Sequence, residues 1–373
     1  MTNLKVIRAG RLIDGTGTAA QHGQSVFIED GRIVGIEASG DTPSEAEVID
    51  VAESTLLPGL IDGHVHLVFS AGPNPLGDLG VEDDQRLLLR SVAAARQALG
   101  AGVTTVRDLG GRGGVTFRLR DAINDRIIAG PRILAAGSPI TITGGHCHFL
   151  GLEADDEVGV RAAARSQLKA GANCLKIMAT GGRMTPGTNV GRAQFSVAEL
   201  RAAVDEARRA GVPIAAHALG AAGIRTATEA GVDTILGSMK HTPSDELSAG
   251  LREHITLRPQ IIKALQRMVQ LGVPIVTGTD AGVSWTPFDS LALEIELLVT
   301  EVGLSPVQAI NGATGLAARA LGLADTLGTI AVGHAADLIV VDGNPAVDIC
   351  ALRKVRLVVQ AGKIVAKDGQ VLS

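Results

Sequence analysis

The sequence is nearly devoid of aromatic residues, with no tyrosine, one tryptophan and six phenylalanines among 373 residues. The hydrophobic fraction is nevertheless 46%, so a large core must be built from alanine, valine, leucine and isoleucine. Long hydrophobic runs are also missing: no stretch reaches the roughly 18 continuous apolar residues of a membrane span, and residues 1–10 lack the layout of a signal peptide. We therefore expect a globular chain that contacts no membrane.

Cysteine and positive charge are scarce as well. The three cysteines, Cys147, Cys174 and Cys350, are odd in number and far apart, which is not typical of a disulfide framework. Buried thiols in a reducing cytoplasm are the simpler expectation. The formal net charge is -5, and no cluster of lysine and arginine forms the basic surface that binds nucleic acid. The expected partner is a small-molecule substrate.

Short strand-like runs occupy both ends of the chain, where residues 324–373 resemble residues 1–57. Turn residues separate these runs, and Asp30-Gly31 is a hairpin signal. We predict that the two ends assemble into one small β-sandwich domain. The predicted strands include residues 4–7, 25–29, 32–36, 336–342, 355–359 and 364–366.

The middle of the chain, residues 58–323, alternates strand-like runs with helical stretches. Capping boxes at Ser196 and Ser305 mark the starts of two helices. Strands that alternate with helices form a parallel sheet, and eight such units over this length match a closed barrel. The sequence therefore predicts an α/β fold, a (β/α)₈ TIM-like barrel. The predicted strands begin near Leu60, Val103, Arg132, Asn173, Pro213, Asp233, His254 and Pro274.

Residues that can bind a metal lie at or near the ends of four predicted strands. His64 and His66 close the first strand, and residues i and i+2 of a strand point to the same side. Lys176 lies in an apolar fourth strand, where an unpaired ammonium is costly. His217 ends the fifth strand and Asp280 ends the eighth. Each has an ordinary structural explanation alone, but the carboxyl ends of barrel strands meet at one mouth, so together they predict one metal site.

The motifs around these residues resemble those of the amidohydrolase superfamily. Pro58–His66 resembles its first-strand signature, and Thr277–Gly282 resembles its eighth-strand motif. The run Gly328–Val341 resembles the return into its small β domain. Lys176–Gly182 and Gly144-Gly145-His146 are similar to the branch with Xaa-Pro dipeptidases, arginine carboxypeptidase-like enzymes and relatives of imidazolonepropionase.

This resemblance implies a ligand set for one or two metal ions. Lys176 would be carboxylated by CO₂ to a carbamate that bridges two ions. His64, His66 and Asp280 would hold the more buried ion, and His217 the second, together with a histidine from the sixth strand. Zinc is favoured by mixed histidine and carboxylate ligands, although manganese and iron also fit such a site.

The resemblance also implies a mechanism. A hydroxide held between two metals is a nucleophile at neutral pH. Asp280 would transfer the proton of the attacking water to the leaving amine, and His146 would stabilise the oxyanion that develops on the carbonyl.

The sixth strand departs from the family pattern. The family usually has Ile-Glu-His-Gly there, whereas this chain has Thr234-Ile-Leu-Gly-Ser238, and the nearest histidine is His241. Three alternatives stay open. An insertion lets His241 act as the ligand, or the enzyme uses one metal and Lys176 remains a plain lysine, or the chain has kept the fold and lost activity.

The leading functional prediction is hydrolysis of an amide bond in a dipeptide or an N-acyl amino acid. Such substrates carry a carboxylate, for which Arg183 and Arg192 are the candidate partners. The alternatives are hydrolysis of a cyclic amide, carbamate or urea-type compound at the same site, and a non-catalytic scaffold. By analogy with relatives, a homo-oligomer is a further expectation.

Overall fold

The computed structural model describes residues 4–40, 42–236 and 249–372, and side chains within these ranges except those of 236 and 249–257. The strands are β1 Lys5–Leu12, β2 Gln21–Glu29, β3 Arg32–Ala38, β4 Glu47–Pro58, β5 Leu60–Val65, β6 Val103–Asp108, β7 Arg132–Ala135, β8 Ile140–Thr141, β9 Leu152–Glu153, β10 Leu175–Met178, β11 Ile214–His217, β12 Thr234–Leu236, β13 Leu338–Asp342, β14 Val355–Gln360, β15 Lys363–Lys367 and β16 Gln370–Val371.

Helices alternate with the strands of the middle region. They are α1 Pro75–Val81, α2 Asp84–Gly100, α3 Val115–Asn124, α4 Glu157–Lys169, α5 Val197–Ala210, α6 Ala221–Ala230, α7 Ala249–Gln270, α8 Leu291–Leu297, α9 Pro306–Gly312 and α10 Gly315–Ala320. A π-helical turn, Leu298–Val302, continues α8, and a 3₁₀ turn spans Ile349–Arg353. This mixture makes the fold α/β, as predicted.

One eight-stranded sheet draws its strands from both ends of the chain, in the order β16-β15-β14-β13-β4-β1-β2-β3. The predicted hairpin at Asp30-Gly31 is confirmed: β2 and β3 pair in antiparallel fashion, and both turn residues have positive φ, 48° and 78°. Asn, Asp and Gly tolerate this conformation, which a two-residue turn of this kind requires. Val26, Leu56 and Val340 belong to the fully buried core on this sheet.

The parallel strands of the middle region form two sheets, ordered β5-β6-β7 and β12-β11-β10-β8-β9. The amide of Asn173, just before β10, donates to the carbonyl of Ala135 at the end of β7, at 2.9 Å, so β10 follows β7 in space. On the other edge of β5, the amide of Gly63 donates to the carbonyl oxygen of Thr277 at 3.0 Å, and the amide of Asp280 donates to the carbonyl oxygen of His64 at 2.8 Å. The carboxyl ends of β5, β10 and β11 and the segment 277–281 therefore lie along one arc.

Side-chain caps mark the starts of two helices that the sequence predicts. Both predicted capping boxes are present, with Ser196 and Glu199 starting α5 and Ser305 and Gln308 starting α9. Each hydroxyl accepts one of the amide hydrogens that a first helical turn leaves without a partner. Gly211 ends α5 in the left-handed conformation, with φ of 67°.

The predicted strand near His254 is wrong, because residues 249–270 form the helix α7. Ile261, Leu265 and Met268 are spaced by three and four residues, which is the period of a helix with one apolar face, and Ile261 and Leu265 pack against the main core. The predicted strand near Pro274 is also absent as a regular strand: residues 273–280 have no strand assignment, although the segment hydrogen-bonds to β5. In the part of the chain that the structure describes, no helix has the length and apolarity to cross a membrane.

Candidate active site

Three side chains at the carboxyl end of β5 and the neighbouring segment form a potential metal-binding group: His64, His66 and Asp280. The Nε2 atoms of the two histidines lie 3.2 Å apart. The Oδ1 atom of Asp280 lies 3.5 Å from each of them. One ion can be bound by donor atoms that converge in this way, and two imidazoles with a carboxylate are a donor set that suits zinc.

Hydrogen bonds to the buried carboxylate of Asp62 hold the two parts of this group together. Asp62 precedes His64 by two residues on β5 and accepts the amide hydrogen of His64 at 3.1 Å. The same carboxylate accepts the amide hydrogen of Thr279 at 3.1 Å and its hydroxyl hydrogen at 2.6 Å. The hydroxyl oxygen of Thr279 in turn accepts the amide hydrogen of Ala281 at 3.0 Å. Because Asp280 lies between Thr279 and Ala281, Asp62 fixes its backbone relative to His64.

The ring of His66 is oriented by the backbone of Gly110, which follows β6. Nδ1 of His66 lies 3.1 Å from the Gly110 carbonyl oxygen, which can only accept, so Nδ1 carries the proton and Nε2 keeps its lone pair. This is the arrangement by which an outer partner orients a metal-binding histidine.

A second group of titratable side chains lies on β10, β11 and the loop after β8. The rings of His146 and His217 have centroids 4.5 Å apart, and Lys176 on β10 is 2% exposed. Nε2 of His217 lies 3.3 Å from the carbonyl oxygen of Gly181, and Nδ1 of His146 lies 3.0 Å from the hydroxyl of Thr185.

Burial sets the protonation of these groups. It lowers the pKa of His64 well below the ordinary value, and the charge of Lys176 lowers it further. Burial also lowers the pKa of His146 to about 4 and, together with His146, lowers that of His217 well below the ordinary value. Burial lowers the pKa of Lys176 to about 8, against the raising effect of the Asp280 charge. These three histidines are therefore neutral at pH 7, which is the form that binds metal.

Both groups line one cavity of about 1070 Å³. Arg183 lines it too, whereas Arg192 is exposed and is not one of the lining residues. His241 lies outside the described residues. Arg192 and His241 aside, the predicted site residues all line this one cavity. They are His64, His66, His146, Lys176, Arg183, His217 and Asp280.

Sequence reasoning missed several residues that build the site. Asp62 belongs to the first-strand motif, and its position two residues before His64 is the signal from which its role at the site could have been predicted. Gly182 packs so closely on the His146 ring that a Cβ atom there would overlap it. Glu294 on α8 accepts the amide hydrogen of Gly278 at 2.7 Å. Trp285 lines the cavity, but a single aromatic residue in a loop gives no periodic signal.

Comparison with known proteins agrees with this site. Residues 55–257 and 239–365 match the amidohydrolase family. The ochratoxinase of Aspergillus niger is 29% identical over 424 residues, covering 96% of this chain and 85% of the relative. The imidazolonepropionase of Aromatoleum aromaticum is 27% identical, covering 84% of each chain. A solved Xaa-Pro dipeptidase with methionine bound in its active site has a TM-score of 0.88 and 31% identity, over 97% of this chain and 99% of that chain. The sequence-based prediction of a hydrolase is therefore confirmed, and the chain belongs to the amidohydrolase family.

Proposed function

We propose that the enzyme hydrolyses the amide bond of a dipeptide or an N-acyl amino acid with zinc bound by His64, His66 and Asp280. The observation that carries this proposal is the convergence of three donor atoms, all within 4.8 Å of one another, on the wall of a cavity large enough for such a substrate. Substrate pockets in proteins have volumes of about 300–1,000 Å³.

The residues around the group fit a metal ion. His64 is neutral, and the carbonyl oxygen of Gly110 accepts the Nδ1 hydrogen of His66, so the lone pair of His66 is on Nε2, the atom that faces His64 and Asp280. When bound, zinc supplies Lewis acidity, which activates water and polarises a carbonyl group.

A second ion would be held by Lys176 as a carbamate, by His217 and by His241. In support, Lys176 is buried beside the first group and makes no hydrogen bond or salt bridge with the described residues. A buried ammonium without such a partner is costly, and a carbamate converts it into a ligand. His241→Ala tests the second ion, since it would lower the metal content by one ion per chain.

The chain's own residues perform the other steps. Asp280 accepts the proton of the attacking water and returns it to the leaving nitrogen as the carbon–nitrogen bond breaks. His146, neutral and buried, donates a hydrogen bond to the carbonyl oxygen as negative charge develops on it. Arg183 lines the same cavity and binds the substrate carboxylate.

The architecture that supports this chemistry is proposed to be a closed (β/α)₈ barrel over residues 58–323, with a small β domain from residues 1–57 and 324–373. The order of the parallel strands along one arc supports it, because β5, β6, β7, β10, β11 and β12 follow one another in space. In such barrels the active site lies at the carboxyl ends of the strands, as does the site here.

The test is a hydrolysis assay on a panel of dipeptides and N-acyl amino acids, in which the free amino acid released is measured. We expect turnover that a chelator abolishes and zinc restores, and a loss of about 100-fold or more in kcat in His66→Ala. His22→Ala is the matched control, because His22 is exposed on β2. Turnover by His66→Ala at the wild-type rate would refute the proposal.

A further inference from the structure

The only tryptophan of the sequence, Trp285, lies five residues after Asp280 and lines the same cavity. Its side chain is half-buried. An indole that lines a cavity offers a large, rigid apolar surface at a low cost in side-chain entropy. Trp285 therefore has the position and the chemistry of a substrate contact.

The backbone around Trp285 is held in a fixed shape by the loop after β5. The amide of Ala71 donates to the carbonyl of Gly282 at 2.8 Å, and the amide of Trp285 donates to the carbonyl of Ala71 at 3.1 Å. Trp285 has a φ of 61°, a left-handed conformation that is unfavourable for a bulky residue. Such a conformation persists only where the surroundings enforce it, and these cases cluster at functional sites.

Apolar side chains from the loop after β5, from α1 and from the loop after β10 line the cavity together with Trp285. The ring centroid of Phe69 lies 5.4 Å from that of His66, so the apolar part of the lining reaches the proposed metal site. Leu76 and Met184 pack against the cluster that contains Phe69. We call Phe69, Leu76, Met184 and Trp285 the apolar wall, and all four line the cavity.

A cationic residue adjoins the apolar wall. Arg183 precedes Met184 in the chain, and both side chains line the cavity. An α-amino acid carries its carboxylate and its side chain on the same carbon atom, so a cation beside an apolar surface matches an amino acid with an apolar side chain.

We propose that the apolar wall is the subsite for the aromatic side chain of the leaving amino acid, and that Trp285 determines this specificity. The substrate class is then an N-acyl aromatic amino acid with a free carboxylate. This inference rests on the proposed amide hydrolysis: water adds its hydroxyl to the carbonyl carbon and its proton to the nitrogen, which releases the aromatic amino acid.

The first experiment measures binding without turnover. Because the chain has one tryptophan and no tyrosine, indole emission of the zinc-loaded enzyme reports on Trp285 alone. Titration with L-phenylalanine, a product of the expected reaction, should change the emission in a saturable way, and glycine should bind about tenfold more weakly or worse. Equal responses to the two amino acids, or no response to either, would overturn the subsite.

The second experiment separates specificity from stability. Trp285→Asn removes the ring but suits a positive φ, and Trp285→Phe keeps an aromatic ring. For N-acetyl-L-phenylalanine we expect KM to rise about tenfold in Trp285→Asn, equivalent to about 1.4 kcal/mol, and to return toward the wild-type value in Trp285→Phe. N-acetylglycine should show less than a twofold change in any variant, and Phe27→Leu, in the distant β2, is the control for aromatic loss elsewhere.

The two proposals fail in different ways. Saturable binding of L-phenylalanine without hydrolysis of any substrate would support the subsite and refute the proposed function. Hydrolysis of both acetylated amino acids with equal KM, unchanged in Trp285→Asn, would keep the function and refute the subsite.

Discussion

Replacement of Thr279 by valine tests the bonds that hold the proposed metal ligands in place. Thr279 is 3% exposed, and valine has nearly its shape, so the change removes the hydroxyl without leaving a cavity. The hydroxyl donates to the Asp62 carboxylate at 2.6 Å and accepts from the Ala281 amide at 3.0 Å. A hydrogen bond to a charged group contributes about 1.5–3 kcal/mol, and a buried donor left without an acceptor costs about 1–3 kcal/mol.

The expected loss in unfolding free energy for Thr279→Val is therefore about 3–5 kcal/mol. Because Asp280 lies between the two bonded positions, we also expect zinc affinity to fall about 10- to 100-fold, as is typical when an outer partner of a metal ligand is removed. Urea denaturation of the metal-free protein and competition with a zinc chelator measure the two effects separately.

Thr314→Val is the matched control. Thr314 is also fully buried, but its hydroxyl donates to the Ile310 carbonyl at 2.7 Å, and this carbonyl oxygen keeps the amide of Ala313 as a donor, at 3.0 Å. We expect a loss of only about 0.5–1.5 kcal/mol and unchanged zinc affinity. The reasoning is refuted if Thr279→Val is no less stable than this control, or binds zinc as tightly as the wild type.

Two further changes test other parts of the structure. Glu206 accepts hydrogen bonds from three arginines. These bonds, with that from Arg165 as the largest cause, lower the pKa of Glu206 from 4.5 to about 2. A carboxylate with a lowered pKa stabilises the fold at pH values above its pKa in the unfolded chain, and this contribution is lost as the pH falls through about 2. Glu206→Gln should thus lower the free energy of unfolding by about 1–2 kcal/mol near neutral pH. If the difference in unfolding free energy between this variant and the wild type does not shrink below about pH 4, the sign of this argument is wrong. Gly182→Ala should displace the His146 ring and lower kcat about tenfold or more, with the zinc content unchanged. Gly80→Ala is the control and should keep the wild-type kcat, because a Cβ at this position meets no neighbour within 4 Å. An equal kcat in the two variants would argue against a role for His146.

The sequence predicts those features that depend on local rules. His64 and His66 face one space because they are two residues apart on a strand, and the structure places their Nε2 atoms 3.2 Å apart. The capping boxes at Ser196 and Ser305 and the turn at Asp30 follow from the hydrogen bonds that these side chains and conformations allow, and each is present.

Features that depend on contacts between distant segments were not predictable in the same way. The helix α7 contains Pro259, and its first residues are a mixture of polar and apolar types, so the sequence predicts a strand near His254. Only the apolar spacing of the later residues indicates a helix. The bond between Asp62 and Thr279 joins residues far apart in sequence, and no local pattern reports it. Arg192 has the charge expected of a carboxylate partner, but its loop directs it to the surface.

The metal content of the chain tests the central claim most directly. We would measure metal per chain by elemental analysis of protein purified without chelator, for the wild type, for His64→Ala and for the control His22→Ala. The account predicts bound zinc in the wild type and in the control, and at least one ion per chain fewer in His64→Ala. A wild-type chain that hydrolyses amides with no bound metal, or a His64→Ala variant with undiminished metal content, would contradict it.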